Sequence, residues 1–222
     1  MKVFMAQDLL KANIGAAERN RTVFNENGNL VLNLIGSPGA GKTVLLEKTL
    51  EGLAGNYKTA VVEGDVYTTR DAERLEKKGA EVVQINTAGG CHLEAGMVTG
   101  ILKEISLQEM DFIFIENVGN LVCPAEFDLG EELKVVVLSV TEGGDKPSKY
   151  PLIFREAQVC IINKMDLLSL TDFDLTRVKS EIKDINGSIQ VFLLCATSGE
   201  GTGEWVQWLR KRRKKKTDPV TK

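Results

Sequence analysis

No apolar run among the 222 residues approaches the roughly 20 needed to cross a bilayer, so no membrane-spanning helix is expected. The opening stretch MKVFMAQDLLKANIG has neither the apolar core nor the small-residue cleavage site of a secretory signal, and a cytoplasmic protein is expected. No Pro- or Ser-rich linker and no internal repeat divides the chain. At this length, with 43% hydrophobic residues, it suits one well-buried α/β domain. In a reducing compartment the four cysteines, Cys91, Cys123, Cys160 and Cys195, are not expected to pair as disulfides, so each is a buried apolar residue, a ligand or a reactive thiol. There is no C-x-x-C pair and only one histidine, His92, which leaves spacing alone a weak indicator of a metal site. The net charge is only -3, but residues 210–222 carry eight Lys/Arg and one Asp, or +7, leaving about -10 on the rest. No aromatic residue interleaves RKRRKKK at 210–216, which argues against specific nucleic-acid recognition. That tail, 210–222, is expected to be a solvated, disordered end, with docking to an acidic partner as the alternative.

What is present is a series of seven short apolar runs: LVLNLIG, KTAVVEGD, AEVVQIN, DFIFIENVG, LKVVVLSV, QVCIINKMD and IQVFLLCAT. Their apolar character is continuous rather than alternating, as in strands covered on both faces, and helix-forming segments separate them. The expected fold is a three-layer α/β P-loop NTPase domain over residues 1–209, with a mostly parallel central sheet flanked by helices on both faces and an amphipathic N-terminal helix over about 6–25. Ligands in such sheets bind beyond the carboxyl ends of the strands, where Gly36, Asp65, Glu116, Thr141, Asn163 and Ala196 stand. In GEWVQWLRK, Trp205 and Trp208 share a helix face suited to packing.

Gly36, Ser37, Pro38, Gly39, Ala40, Gly41, Lys42 and Thr43 match G-x-x-x-x-G-K-[ST] residue for residue, with Val44 opening the following helix. Such a loop turns backbone N–H groups inward around phosphates, sends Lys42 to the outer phosphates and offers the Thr43 hydroxyl to Mg²⁺. Downstream, NKMD ends an apolar run. Asn163, Lys164 and Asp166 stand at its end: the carboxylate of Asp166 suits the two adjacent donors on guanine and Lys164 can lie along the base, which with the phosphate loop upstream favours GTP and GDP over ATP. CATSGEG resembles the loop that closes over guanine through a backbone amide near Ala196, the alternative being an ordinary strand end.

A nucleotide switch needs a part that moves when the terminal phosphate leaves. Glu116 is placed to meet Mg²⁺ through water, and Gly119, three residues on, to offer its N–H to the γ-phosphate. Asp65 is placed to hold Mg²⁺ or orient the attacking water; its alternative is to cap the helix in TRDAERLEKKG. Lys42, Asp65, Glu116 and Gly119 therefore form the expected catalytic set. With no dedicated water-positioning glutamine and no evident arginine finger, slow intrinsic GTP hydrolysis is expected.

Cys91 and His92 are adjacent, and Cys123 lies four residues beyond Gly119. Thiolate and imidazole suit Ni²⁺ and Zn²⁺, although free cysteines are more often simply buried, the reading taken for Cys160 and Cys195. The stretches NLIGSPGAGKT, EGDVYTTRDAERLEKKGAEVVQINT, CHLEAGMV, FIFIENVGNLVCPAEFDLGE, VVVLSVTEGGDKPSKYP and INKMDLL resemble the HypB-type hydrogenase nickel-insertion GTPases of the SIMIBI class over about residues 5–210. CHLEA together with ENVGNLVCP is the most diagnostic pair; the sister urease-type GTPases, with a Cys-Pro-His motif, fit less well. The resemblance implies that Cys91, His92 and Cys123 form a nickel or zinc site at the interface of a GTP-dependent homodimer. It further implies that Lys149, or else Lys146, reaches the partner's nucleotide, and that a HypA-like delivery protein and a hydrogenase large subunit are partners. The absence of Cys or His before Cys91 disfavours the nickel-storage role of some members.

Because Gly119 and Cys123 share one short loop, a γ-phosphate contact at the first is expected to reposition the second, coupling hydrolysis to metal release. The alternatives are a regulatory GTPase with structural cysteines and a small-molecule kinase built on the same phosphate loop.

Overall fold

All seven apolar runs are strands in the computed structural model, which describes residues 6–65 and 69–217 apart from the side chains of 6–9 and 65. They are β1 (Leu30–Ile35), β2 (Thr59–Asp65), β3 (Glu81–Asn86), β4 (Phe112–Glu116), β5 (Leu133–Ser139), β6 (Val159–Asn163) and β7 (Gln190–Leu193). One sheet holds them in the order β3-β2-β4-β1-β5-β6-β7, and every neighbouring pair is parallel. Between them run α1 (Ala6–Glu26), α2 (Lys42–Leu53), α3 (Arg70–Glu76), α4 (Ala95–Ile101), α5 (Cys123–Glu126), α6 (Lys146–Lys149), α7 (Pro151–Glu156), α8 (Leu175–Ile185) and α9 (Thr202–Thr217).

Two apolar layers explain why the strands lack alternation. Leu30, Leu32 and Leu34 of β1 face Leu45, Leu46 and Leu50 of α2 and Trp205 and Leu209 of α9. On the other face, Val31, Ile113 and Ile115 pack with Phe24 of α1 and Val98 of α4, while Val136 and Cys160 pack with Phe154 of α7 and Val178 of α8. The result is the expected three-layer α/β P-loop arrangement, with the central β1 and β4 delivering their loops to the same end of the sheet. Cys160 and Cys195 are buried, as their apolar surroundings suggested. Among the described residues, no helix is long and apolar enough to cross a membrane.

The basic tail differs from expectation. Residues 210–217 continue α9 rather than fraying. The helical period sorts the like charges: Arg210 donates to the Gly52 carbonyl, Arg213 pairs with Asp111 at 2.9 Å, and Lys216 pairs with Glu132 and donates to Asn25. Lys211, Lys214 and Lys215 remain exposed. Residues 218–222 lie outside the described residues.

Candidate functional site

The loop between β1 and α2 wraps around the Lys42 ammonium, whose Nζ donates to the carbonyls of Gly36 at 3.2 Å and Ser37 at 3.5 Å. Gly41 sits at φ +94°, and a Cβ there would fall 2.4 Å from Asn163 Nδ2. Only glycine allows that approach, and the gain is a brace: Asn163 Nδ2 donates to the Ala40 carbonyl at 2.9 Å. Its Oδ1 accepts from the N–H of Lys164 and of Ala196, so one buried side chain joins the phosphate loop to both segments expected to hold the base. Lys164, at φ +63°, reaches back to the Gly39 carbonyl at 2.7 Å, and Asp166 is exposed beside it. The Ala196 N–H, expected to face guanine, is instead spent on Asn163; that amide braces the loop in this structure.

Two acidic side chains, Glu116 and Asp71, converge near Lys42. Thr43 Oγ1 donates to Glu116 Oε1 at 2.8 Å and also lies 3.3 Å from Asp71 Oδ2. Glu116 Oε2 is buried with no hydrogen-bond partner among the described residues. Burial raises the Glu116 carboxyl to about 7 against the opposing charge of Lys42. The Lys42 ammonium is itself lowered by burial, with Glu116 the leading opposing influence. An orphaned carboxylate oxygen beside a threonine hydroxyl and a second carboxylate is a hard-oxygen donor set that fits Mg²⁺. These groups line a cleft of about 650 Å³ with Pro38, Glu63, Asn117, Gly119 and Arg74.

Asp71 was not found by sequence reasoning. Its signal was a second aspartate six residues after Asp65, at the start of a helix. Asp65 itself ends β2, and its side chain lies outside the described residues; α3 starts at Arg70 behind Thr69, which rules out Asp65 as its immediate cap. Arg74 holds Asp71 at 2.8 Å and Glu47 at 2.8 Å, fixing the acid that faces Thr43.

Gly119 lies against the phosphate loop so closely that a Cβ would be 2.8 Å from Pro38 Cγ and 2.9 Å from its nitrogen. The next residue ties three segments together. Asn120 N donates to the Gly36 carbonyl at 3.0 Å, its Nδ2 to the Cys91 carbonyl at 3.3 Å, and its Oδ1 accepts from Val122 N at 2.9 Å.

Beyond Asn120 the three soft-ligand side chains meet. Cys91 Sγ is 3.3 Å from Cys123 Sγ and 3.5 Å from His92 Nδ1, and one ligand atom from each residue lies within 4.8 Å of the others. The thiols are free and reach solvent. Burial lowers the His92 pKa, with Glu94 opposing, so the imidazole is neutral and able to donate a lone pair at neutral pH. Its ring packs on Phe127 with centroids 4.0 Å apart, and Nε2 is buried without a hydrogen-bond partner among the described residues. The neighbouring Cys91 thiol, through a hydrogen bond, raises the Cys123 pKa. Two thiols and an imidazole converging without a disulfide are a donor set for a soft or borderline divalent ion.

Residues 30–193 match the family model for the CobW/HypB/UreG nucleotide-binding domain. The chain is 48% identical over 206 residues to hydrogenase maturation factor HypB of Escherichia coli K12, covering 93% of this chain and 71% of that protein. The chain belongs to the HypB family. A probable HypB from Methanocaldococcus jannaschii is 42% identical, over 93% of this chain and 94% of its own length. Among solved structures, HypB from Helicobacter pylori in complex with nickel superposes with a TM-score of 0.86 at 38% identity, covering 92% of this chain and 96% of that one. HypB from Archaeoglobus fulgidus gives the same score and identity, over 91% and 99%. As in the HypB family at large, then, the chain carries a nucleotide-binding domain, and the thiol cluster stands one loop away from its phosphate cradle. Lys149 and Lys146, by contrast, are on the exposed helix α6: Lys149 pairs with Asp145 at 2.5 Å, and Lys146 lies 5.7 Å over the Tyr150 ring.

Proposed function

We propose that this HypB-family chain is a metallochaperone that binds nickel at Cys91, His92 and Cys123 and releases it, under control of a guanine-nucleotide cycle, for insertion into [NiFe] hydrogenase. The observation that carries the reading is Asn120, three residues before Cys123, which bonds at once to the phosphate loop and to the Cys91 carbonyl. The nucleotide site on this reading comprises residues 36–44 with Asn163, Lys164, Asp166 and Ala196, in one GTPase domain over residues 1–209.

Lys42 neutralises the outer phosphates and Gly119 reports the γ-phosphate, with Thr43, Glu116, Asp65 and Asp71 available to Mg²⁺. When bound there, Mg²⁺ would spread the charge of the β- and γ-phosphates. Hydrolysis is slow on this reading, since no glutamine is among the described residues that line the cleft. Loss of the γ-phosphate frees Gly119, and Asn120 passes that shift to the thiols by main-chain connection. The thiols reach solvent, as a shared site on a GTP-dependent homodimer axis requires, and Lys149 or Lys146 would leave Asp145 or the Tyr150 ring to approach the partner's nucleotide. Zn²⁺ fits the same donors, so cargo identity depends on delivery by a HypA-like protein and on the hydrogenase large subunit that receives the ion. A chain with these properties works in the cytoplasm.

The test is metal stoichiometry and oligomeric state of purified chain with GDP, a nonhydrolysable GTP analogue and the corresponding ATP analogue, for the parent and Cys91→Ser. The expected result is stoichiometric Ni²⁺ and dimers favoured by the GTP analogue but not by the ATP analogue, with Ni²⁺ lost in the variant. A parent without stoichiometric Ni²⁺, or Cys91→Ser that retains it, contradicts the reading.

A further inference from the structure

Beneath the thiol cluster, the apolar core contains three polar side chains that phosphate chemistry does not require. Asn33 is at the middle of β1, Asn117 just beyond β4 and Glu131 before β5, and they are 0%, 1% and 6% exposed. They connect in single file. Glu131 Oε1 accepts from Asn33 Nδ2 at 3.2 Å, Asn33 Oδ1 accepts from Asn117 Nδ2 at 3.2 Å, and Asn117 Oδ1 accepts from the N–H of Leu93 at 3.0 Å. Glu131 Oε2 meanwhile accepts from Leu129 N at 2.6 Å.

The direction of this file is dictated by its end at Leu93. A backbone N–H only donates, so Asn117 must turn its carbonyl towards Leu93 and its NH₂ towards Asn33, which in turn presents its NH₂ to Glu131. Each bond polarises the next, so the acceptor oxygen of Glu131 strengthens the hold on the Leu93 amide two links away. That amide belongs to the peptide joining His92 to Leu93, and the Leu93 side chain is itself fully buried, which leaves the peptide plane little freedom. The other side of the same loop is gripped by α1: Ala95 N donates to Asn13 Oδ1 at 2.8 Å, and Asn20 Nδ2 donates both to the Ala95 carbonyl and to the Leu129 carbonyl beside Glu131. Burying three polar groups is costly unless each is satisfied, and packing alone would favour aliphatic residues at these positions.

We propose that Glu131, Asn33 and Asn117 are positioning residues for the nickel site, a chain of buried amides ending on the Glu131 carboxyl that sets the peptide between His92 and Leu93 and so aims the Cys91 and His92 side chains. The proposal rests on the metal reading given above and supplies the support that reading lacks on the side away from the nucleotide. The loop is thereby held from two directions, by Asn120 from the phosphate side and by this chain from the core.

The experiment uses the full chain, metal-free and ¹⁵N-labelled, and follows the Leu93 amide proton in the parent, Glu131→Gln, Asn33→Leu and Val98→Ala. The last truncates a side chain in the same apolar cluster that takes no part in the chain's hydrogen bonds, and controls for lost stability. Glutamine offers Asn33 a carbonyl, but then faces Leu129 N–H with a second donor, so the conservative variant weakens the chain without a cavity. The expected result is an upfield shift of Leu93 in both polar variants and none in Val98→Ala. Competition of Ni²⁺ with a chelator should show affinity weakened about tenfold or more in those two, the range for outer-shell partners of metal ligands, with GDP affinity unchanged. A Leu93 resonance unmoved in both variants overturns the proposal, as does Val98→Ala weakening Ni²⁺ equally at matched stability. Failure of the metal reading registers elsewhere: Cys91→Ser with parental Ni²⁺ affinity would remove the site these residues are proposed to serve.

Discussion

Glu116 shows how one side chain carries both the readable and the hidden part of the site. Its place at the end of an apolar run marked it from sequence; its ionisation state comes from burial that only the fold creates. With the folded pKa raised to about 7 from an ordinary 4.5, the folded state binds the extra proton between those values. The stability contributed by the neutral form is present below about pH 4.5 and is lost as pH rises through about 7, an effect of roughly 3 kcal/mol at one to two kcal/mol per pKa unit. Denaturant unfolding of nucleotide-free, metal-free parent and Glu116→Gln across this range should give a difference that moves against the parent as pH rises. A difference independent of pH would contradict the burial argument. Asp71, Asn117 and Asn120 escaped sequence reasoning for a common reason: short polar residues at the ends of elements take their meaning from partners distant along the chain, such as Thr43, Leu93 and Gly36. The phosphate-loop residues were legible because their partners are their own neighbours.

At the scale of elements, the strands were legible because burial on both faces writes itself as continuous apolar runs, whereas the fate of the basic tail was not. A run of like charge suggests self-repulsion, yet α9 converts it into an inward row at Arg210, Arg213 and Lys216 with acceptors waiting on three other segments. The helix is anchored by Trp205, which is 1% exposed, donates from Nε1 to Thr49 Oγ1 at 3.0 Å and meets Phe192 and Trp208 edge-on and stacked. Trp205→Ala should cost about 3–5 kcal/mol of folding stability, the usual range for removing a buried aromatic ring. Denaturant titration checks this, and a loss under about 1 kcal/mol would mean that α9 contributes little to the core. Removing the exposed cations at Lys211, Lys214 and Lys215 should have little such effect, because no acidic partner among the described residues holds them.

On the scale of the whole molecule, the order β3-β2-β4-β1-β5-β6-β7 places β4 beside β1, and that adjacency is what brings the thiol loop to the phosphate loop. Sequence order alone separates Gly36 from Asn120 by more than eighty residues and Cys91 from Cys123 by 32, so the meeting of these pairs could be inferred only through a family resemblance or a fold. The structure then adds the particular joint, a single asparagine bonded to both loops, on one side of the thiols, and a buried amide chain on the other. On the proposed function, nucleotide state and metal geometry are two readings of one loop's position, and their coupling is reciprocal. The most direct test is the Ni²⁺ affinity of the same preparation with GDP and with a nonhydrolysable GTP analogue. The account predicts affinities differing by about fivefold or more, in keeping with coupling free energies of 1–3 kcal/mol; equal affinities in the two nucleotide states would contradict it.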